Sequence, residues 1–353
     1  MLWPFVWDYL VTLCLFMNTV LSPQTASDYY GEDGGWPHIS SSFGQFDLAG
    51  FPKAQAEWWR AWWLYNVSTT DPGRSPVQVP AGRTYGLQIV EEWAPDAWGN
   101  TPDTIHVYTS APSVHLQLTP EGSSKSLPLG DGSVAKYGYA SISVNGTKFQ
   151  PGVIEAFALD HTGKRTGDSA VRCTAGAPYA LRVTLDAPAQ TTGTGSYLYA
   201  DGSDVALVRA VLVDEYGCKC SMASYNATFE VLQGAGAVVG VANGDPSSHE
   251  PNAATWRSLY HGMTRAVVKV TVDARPASIQ WANQIDLDRS PGGVQVRALV
   301  PQDQQIVVRA SVPGLGITGE VSIGLSADEQ ASALSAAVGS KVFVDAFMDN
   351  SFV

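Results

Sequence analysis

The chain is poor in cysteine and in basic residues, and both shortages exclude some classes of function. Four cysteines in 353 residues are too few and too scattered for a disulfide framework. One bridge, from Cys173 to either Cys218 or Cys220, is compatible with an oxidising compartment, but the sequence leaves the pairing open. The one-residue spacing of the close pair is unsuited to metal binding without a second Cys/His pair nearby, so we expect no metal site. We also expect no cofactor. With 21 basic against 33 acidic side chains, the net charge of −12 argues against a nucleic-acid surface.

The sequence also lacks a run of the roughly 20 apolar residues that a membrane-spanning helix needs, so we expect no stable membrane span. The apolar run 10–21 has the length of a secretory signal, but no Lys or Arg precedes it. Three glycosylation sequons, at Asn66, Asn145 and Asn226, favour secretion only weakly. The localisation therefore stays open, with a secreted or extracellular protein as one alternative.

What the chain does have is apolar content and strand-like patterning. Apolar residues make up 45% of its length, which is enough material for two or three domains with real cores. From about position 77, short alternating runs are separated by Gly, Pro, Asn and Asp, a pattern typical of β-sandwiches. The clearest runs are 105–109, 114–118, 140–144, 153–159 and 181–185.

One segment, residues 28–64, is dense in aromatic and turn residues and contains five of the chain's eleven Trp. Two Trp pairs with a spacing of four, Trp58 with Trp62 and Trp59 with Trp63, predict a helix that begins just after Pro52. Aromatic stripes at this spacing usually face a core, so we favour packing over a sugar-binding platform for these four rings.

The same segment carries a family resemblance. It reads DYYGE, then WPHISSSFGQFDLAGFPK, then a Trp-rich helix, and it is preceded by FVW at 5–7. This order resembles the end of the catalytic barrel in glycoside hydrolase family 2, the β-galactosidase-like branch. Residues 8–27 separate FVW from DYYGE where the family has only a few residues. We interpret them as an insertion or a gene-model artefact in preference to a secretory signal.

Segments further along resemble the immunoglobulin-like domains that follow the barrel in this family. The first resemblance covers 104–127 and 151–164, and the second covers 196–217, 226–251 and 256–270. The fold implied is mainly β: two immunoglobulin-like β-sandwiches preceded by the last strand and helix of a truncated (β/α)8 barrel. The implied domains are 1–70, 71–188 and 189–325, with an insertion near 273–304 and a tail at 326–353.

The resemblance also implies which residues matter. Glycoside hydrolysis uses two carboxyl groups beside the scissile bond, and the family's two glutamates lie on barrel strands earlier than FVW, so we expect no catalytic residue in this chain. We expect Trp7, Asp28, Glu32, Trp36 and His38 to bind substrate, with Trp7 lining the glycon subsite. Asp28 and Glu32 are expected to shape the pocket rim or bind sugar hydroxyls and not to act as a substitute catalytic pair.

A second polar group, Asp245, His249 and Glu250, lies in a turn-rich stretch, and we favour an ordered loop over a catalytic or metal cluster.

Two functions remain open. The first is the C-terminal part of a β-galactosidase-like hydrolase of O-glycosyl bonds in carbohydrate metabolism, with the chain alone inactive. The second is a non-catalytic carbohydrate-binding or scaffolding β-sandwich protein. Both make a carbohydrate the expected partner, and neither fixes the oligomeric state.

Overall fold

The computed structural model describes residues 25–64, 84–96, 98–135, 137–145, 147–189, 194–271 and 305–326. Within these ranges one helix accompanies sixteen strands. Helix α1 spans Ala54–Leu64. The first seven strands are β1 (Leu87–Ile89), β2 (Thr104–Thr109), β3 (Ser113–Pro120), β4 (Leu127–Ser133), β5 (Ala140–Ser143), β6 (Gly152–Leu159) and β7 (Arg165–Cys173). The other nine are β8 (Ala180–Ala187), β9 (Tyr197–Tyr199), β10 (Val205–Val213), β11 (Asn226–Gln233), β12 (Gly236–Ala242), β13 (Trp256–Ser258), β14 (Met263–Val270), β15 (Gln305–Val312) and β16 (Ile317–Ser326).

The first seven strands form two sheets, ordered β1-β2-β5 and β4-β3-β6-β7. Side chains alternate between buried and partly exposed along β2 and β6, as expected where one face of a strand meets a core. The buried faces of both sheets share one apolar cluster, whose fully buried members include Ile105, Leu116 and Ile154. We call this two-layered unit the first sandwich.

The remaining strands form a second pair of sheets, ordered β12-β14-β10-β8 and β13-β11-β15-β16-β9. Their common core is larger and includes the fully buried Val208, Leu212, Val268 and Ile306. We call this unit the second sandwich. The mainly β fold is therefore confirmed, and so are strands over all five runs that the alternation predicted.

Strand β8 shows a difference from the expected domain boundary at 188. The sequence placed Ala180–Ala187 in the first unit, whereas the strand pairs antiparallel with β10 of the second sandwich. The physical reason is that its buried residue Leu181 belongs to the second core. Trp7, the segment 273–304 and the tail beyond Ser326 lie outside the described residues, and so do residues 8–24.

Helix α1 is present where the Trp spacing predicted it, and it packs against the first sandwich through strands β1 and β2. Trp58 and Trp62 are buried, and the Trp62 indole N–H donates to the carbonyl of Gly138 at 3.2 Å. Trp63, in the other stripe, is 60% exposed. Packing against a core is therefore confirmed for Trp58 and Trp62, whereas the same expectation was wrong for Trp63. The surface that the helix contacts is the first sandwich. In the part of the chain that the structure describes, no helix is long and apolar enough to cross a membrane.

A disulfide joins the two sandwiches. It links Cys173, the last residue of β7, to Cys218 in the loop after β10, and it closes a separation of 45 residues. Asp214 braces the same junction by accepting the N–H groups of Gly176 and Cys218, each at 2.8 Å. Cys220 is a buried free thiol whose pKa burial raises to about 11. The bridge that forms, Cys173 to Cys218, is one of the two pairings that the sequence left open.

We predict that Cys173→Ala lowers the free energy of unfolding by ~2–4 kcal/mol, because the bridge restricts the unfolded chain over a loop of this size. The measurement is urea unfolding of wild type and variant under oxidising conditions. Reducing the wild type should lower its stability to that of Cys173→Ala. The matched control, Cys220→Ala, should keep its sensitivity to reductant. Equal stability of oxidised wild type and Cys173→Ala would show that the bridge does not form.

Candidate functional site

The site is built on residues 25–53, which we call the N-terminal segment. It contains no helix and only isolated bridges, so its shape depends on a few polar contacts. The carboxylate of Asp28, whose side chain is 4% exposed, pairs with the Lys53 ammonium at 2.7 Å and accepts the N–H of Gly44 at 2.8 Å. The Lys53 ammonium also donates to the carbonyl of Ser42 at 2.8 Å. One buried ion pair therefore ties the two ends of the segment to its middle.

The end of this segment is seated on the second sandwich. Arg265 of β14 donates to the carbonyl of Ala49 and ion-pairs with Asp186, and its guanidinium lies 4.3 Å from the centre of the Phe51 ring. A guanidinium over an aromatic face gains electrostatic as well as packing energy. Asp186 also pairs with Arg209 at 2.8 Å, so the ring is held against a cluster of paired charges.

Asp47 shapes the turn that presents Phe51. One of its oxygens accepts the N–H groups of Ala49 at 2.9 Å and Phe51 at 2.8 Å. Burial raises the pKa of this carboxyl, and the two backbone N–H groups and Arg265 oppose that rise. The turn packs so closely on Gly244 of the second sandwich that a side-chain carbon there would overlap the carboxylate.

A second line of contacts joins the segment to residues 243–252, which we call the platform loop. The N–H of Ile39 donates to the carbonyl of Pro246 at 2.9 Å, and the side-chain amide of Asn252 donates to the Tyr30 hydroxyl at 2.8 Å. The platform loop is itself fixed by Arg257, whose side chain is 1% exposed. Its guanidinium donates to the carbonyl of Glu250 at 2.8 Å.

Residues 32–38 of the N-terminal segment are exposed to solvent, and we call them the rim. The rim carries an aromatic residue. Trp36 is 84% exposed, and its ring centre lies 4.5 Å from that of His249 in the platform loop, with the planes inclined at 39°. On the same segment the Tyr29 hydroxyl donates to the carboxylate of Glu32, which raises the pKa of Tyr29. A segment that presents a solvent-facing indole together with exposed carboxylate and hydroxyl groups is suited to stacking and hydrogen bonding a sugar.

The five residues predicted to bind substrate therefore occupy different environments. Glu32, Trp36 and His38 are exposed on the rim, whereas Asp28 is buried with both oxygens engaged by Lys53. Trp7 lies outside the described residues. The contacts of Asp28 indicate that it shapes the segment. Binding by the other three stays a prediction.

A cleft of about 540 Å³ lies between the N-terminal segment and both sandwiches. Its walls carry charged side chains that are paired with one another, such as Lys219 with Glu92 at 2.9 Å. Burial alone would raise the pKa of Glu92, but Lys219 and Arg172 outweigh it and hold that pKa below its usual range. Burial lowers the pKa of His261 in the same wall. Because these charged side chains form ion pairs with one another, we place the candidate site on the rim and not in the cleft.

The polar group at 245–250 is an ordered loop, as the sequence favoured. Glu250 accepts the N–H and the hydroxyl of Ser258 at 3.1 and 3.0 Å, and Asp245 accepts the N–H of Ser247 at 2.8 Å. Among the described residues no cluster of His, Cys, Asp and Glu could hold a metal ion. Sequence reasoning missed Asn252 and Arg257, since Tyr30 and Asn252 are 222 positions apart and no local spacing signals their contact.

A family model, a curated protein and solved structures are all similar to this chain. The family model "Glycoside hydrolase family 2 C-terminal domain 5" matches residues 183–283. Beta-galactosidase BoGH2A of Bacteroides ovatus is 31% identical over 254 residues, which cover 71% of this chain and 25% of that protein. The chain thus spans about a quarter of the length of this curated relative.

Two solved structures show the same fold. A β-glycosidase from Bacteroides vulgatus superposes with a TM-score of 0.59 at 16% identity, covering 85% of this chain and 30% of that one. A glycosyl hydrolase family 2 member from Bacteroides cellulosilyticus gives 0.56 at 20% identity, covering 85% and 35%. At these identities the likeness concerns the fold alone.

Fold and relatives together define a mainly β protein that is similar to the C-terminal part of glycosidases. The chain belongs to glycoside hydrolase family 2 and corresponds to its C-terminal portion, as the motifs in residues 28–64 indicated.

We predict that Gly244→Ala loosens the N-terminal segment, because the added carbon would overlap the Asp47 carboxylate that two backbone amides hold in place. We expect a loss of ~1–3 kcal/mol in the free energy of unfolding, as for other overpacked sites. Limited proteolysis should cut residues 25–53 faster than in wild type.

The matched control is Gly240→Ala in the preceding strand, where the added carbon would meet the carbonyl of Asn252 at an ordinary 3.5 Å. It should leave the proteolysis pattern unchanged. Equal cleavage rates for wild type and Gly244→Ala would show that the segment is not seated on this part of the second sandwich.

Proposed function

We propose that this chain is the C-terminal part of a glycosidase that hydrolyses O-glycosyl bonds, with a β-galactoside-like substrate, and that the two catalytic glutamates belong to a barrel portion outside the chain. The observation that carries the proposal is the N-terminal segment, which reproduces the family's loop motifs and presents Trp36 to solvent. Support comes from the relative named Beta-galactosidase BoGH2A.

In this proposal the chain contributes part of the substrate-binding wall. Trp36 supplies a ring for the apolar face of a sugar, and Glu32 and His38 supply polar groups at the rim. Trp7 would line the glycon subsite, as its position in the FVW motif implies. Asp28 acts indirectly, because its pairing with Lys53 holds the segment in shape.

We further propose that Asp28 and Glu32 do not form a catalytic pair. A glycosidase needs one carboxyl group that keeps its proton and one that is ionised, on either side of the bond. Asp28 is paired with an ammonium and buried, whereas Glu32 is exposed and bonded to Tyr29. The two groups therefore do not share an open pocket of the kind that this chemistry requires.

A non-catalytic carbohydrate-binding or scaffolding protein remains the second candidate. The observation in its favour is that the described residues comprise two sandwiches and an exposed aromatic rim. A transcript that encodes two further glutamates upstream on barrel strands would favour the glycosidase. A transcript without them, from a protein that binds sugar, would favour the second candidate.

We predict that the purified 353-residue chain does not hydrolyse 4-nitrophenyl β-galactoside, because in this proposal the acid and the nucleophile that the reaction needs belong to the barrel portion outside the chain. The assay is nitrophenol release over hours at several pH values. Glu32→Gln serves as the matched control and should give the same background. Turnover by the wild type that Glu32→Gln abolishes would contradict the prediction and make Glu32 a catalytic residue.

A further inference from the structure

The platform loop lies beneath the most exposed aromatic ring of the site. His249 stacks on Trp36 at 4.5 Å, and its Nε2 lies 2.9 Å from the carbonyl oxygen of Pro37. A carbonyl oxygen only accepts, so Nε2 carries the proton and donates. One side chain of the second sandwich thus fixes both the ring of Trp36 and the backbone of the next residue.

His249 is held in a rigid part of the loop. The Arg257 guanidinium binds the carbonyl of Glu250 at 2.8 Å and the side-chain oxygens of Asn252 and Asn243 at 3.2 and 3.3 Å. The Glu250 carboxylate in turn bonds Ser258 of strand β13. A buried guanidinium that bonds backbone and amide oxygens of one loop, and pairs with a carboxylate of the same loop, restricts the conformation of that loop.

The exposure of Trp36 leaves its ring available to a ligand. An indole that is 84% exposed gains little from burial in the chain itself, and the apolar face of a sugar that covered it would add that burial. A ring that binds a sugar must also keep a fixed orientation, because mobility would be lost on binding at an entropic cost. The stack on His249 supplies that orientation before any ligand arrives.

We propose that the second sandwich completes the sugar-binding surface, with His249 as the positioning residue for Trp36 and Arg257 as the residue that holds the platform loop. The inference rests on the proposed function, since it takes Trp36 as the ring that stacks on the sugar. It extends that function by assigning a role in ligand recognition to a domain outside the barrel, through a loop more than 200 positions from Trp36.

The test is a titration of methyl β-galactoside into the full chain, followed by NMR, for wild type, Trp36→Ala, His249→Ala and His249→Phe. Trp36→Ala should abolish binding. His249→Ala should weaken it about fivefold, the change expected from losing an aromatic contact. His249→Phe keeps a ring under Trp36 and should restore most of the affinity, which a purely structural hydrogen bond would not explain.

Two controls accompany the titration. His161→Ala alters an exposed histidine in a turn of the first sandwich and should bind as wild type does. Thermal unfolding of every variant checks that the fold is intact, which we expect because His249 is itself exposed.

The outcomes separate the two proposals. If Trp36→Ala loses binding but His249→Ala matches wild type, the role of the second sandwich is overturned while the proposed sugar site stands. If wild type does not bind the galactoside, or if Trp36→Ala binds equally well, the proposed sugar site fails and the inference fails with it.

Discussion

The burial of Arg265 is the interaction on which the rest of the structure depends. A guanidinium with so little exposure needs partners that compensate its charge, since an unpaired buried charge is very costly. Arg265 meets this requirement with partners from two regions: Asp186 of the second sandwich, and the Ala49 carbonyl and Phe51 ring of the N-terminal segment. Lifting the segment away would leave the charge partly unsatisfied. The segment and the sandwich therefore stabilise each other.

This coupling explains how a segment with almost no regular secondary structure can hold a defined shape. The Asp28–Lys53 ion pair joins the two ends of the segment. Contacts with Gly244 and with the platform loop hold the segment against the second sandwich. The disulfide between Cys173 and Cys218 keeps the first sandwich, on which helix α1 packs, attached to the second. The rim that carries Trp36 is thus supported by both units.

The sequence predicted the parts of this architecture that depend on local patterns. Alternation of apolar and polar residues predicts strands such as β2 and β6, because one face of each meets a core, and Trp spacing predicts α1. Such local patterns could not predict the contacts of the site. Asn252 bonds Tyr30, which is 222 positions away in sequence, and only the tertiary fold brings the two together. The sequence left open whether Asp28 shapes the rim or binds sugar, because its burial and its pairing with Lys53 cannot be read from its neighbours in sequence.

The central claim is that the N-terminal segment and the second sandwich form one cooperative unit that presents the sugar-facing rim. Native-state hydrogen exchange tests it most directly at the amides of Ile39 and Asp47, which donate to Pro246 and Phe51. The account predicts that both amides are protected to a degree comparable with those of strand β14. Exchange of these two amides at the rate of an unstructured chain, while β14 stays protected, would contradict it.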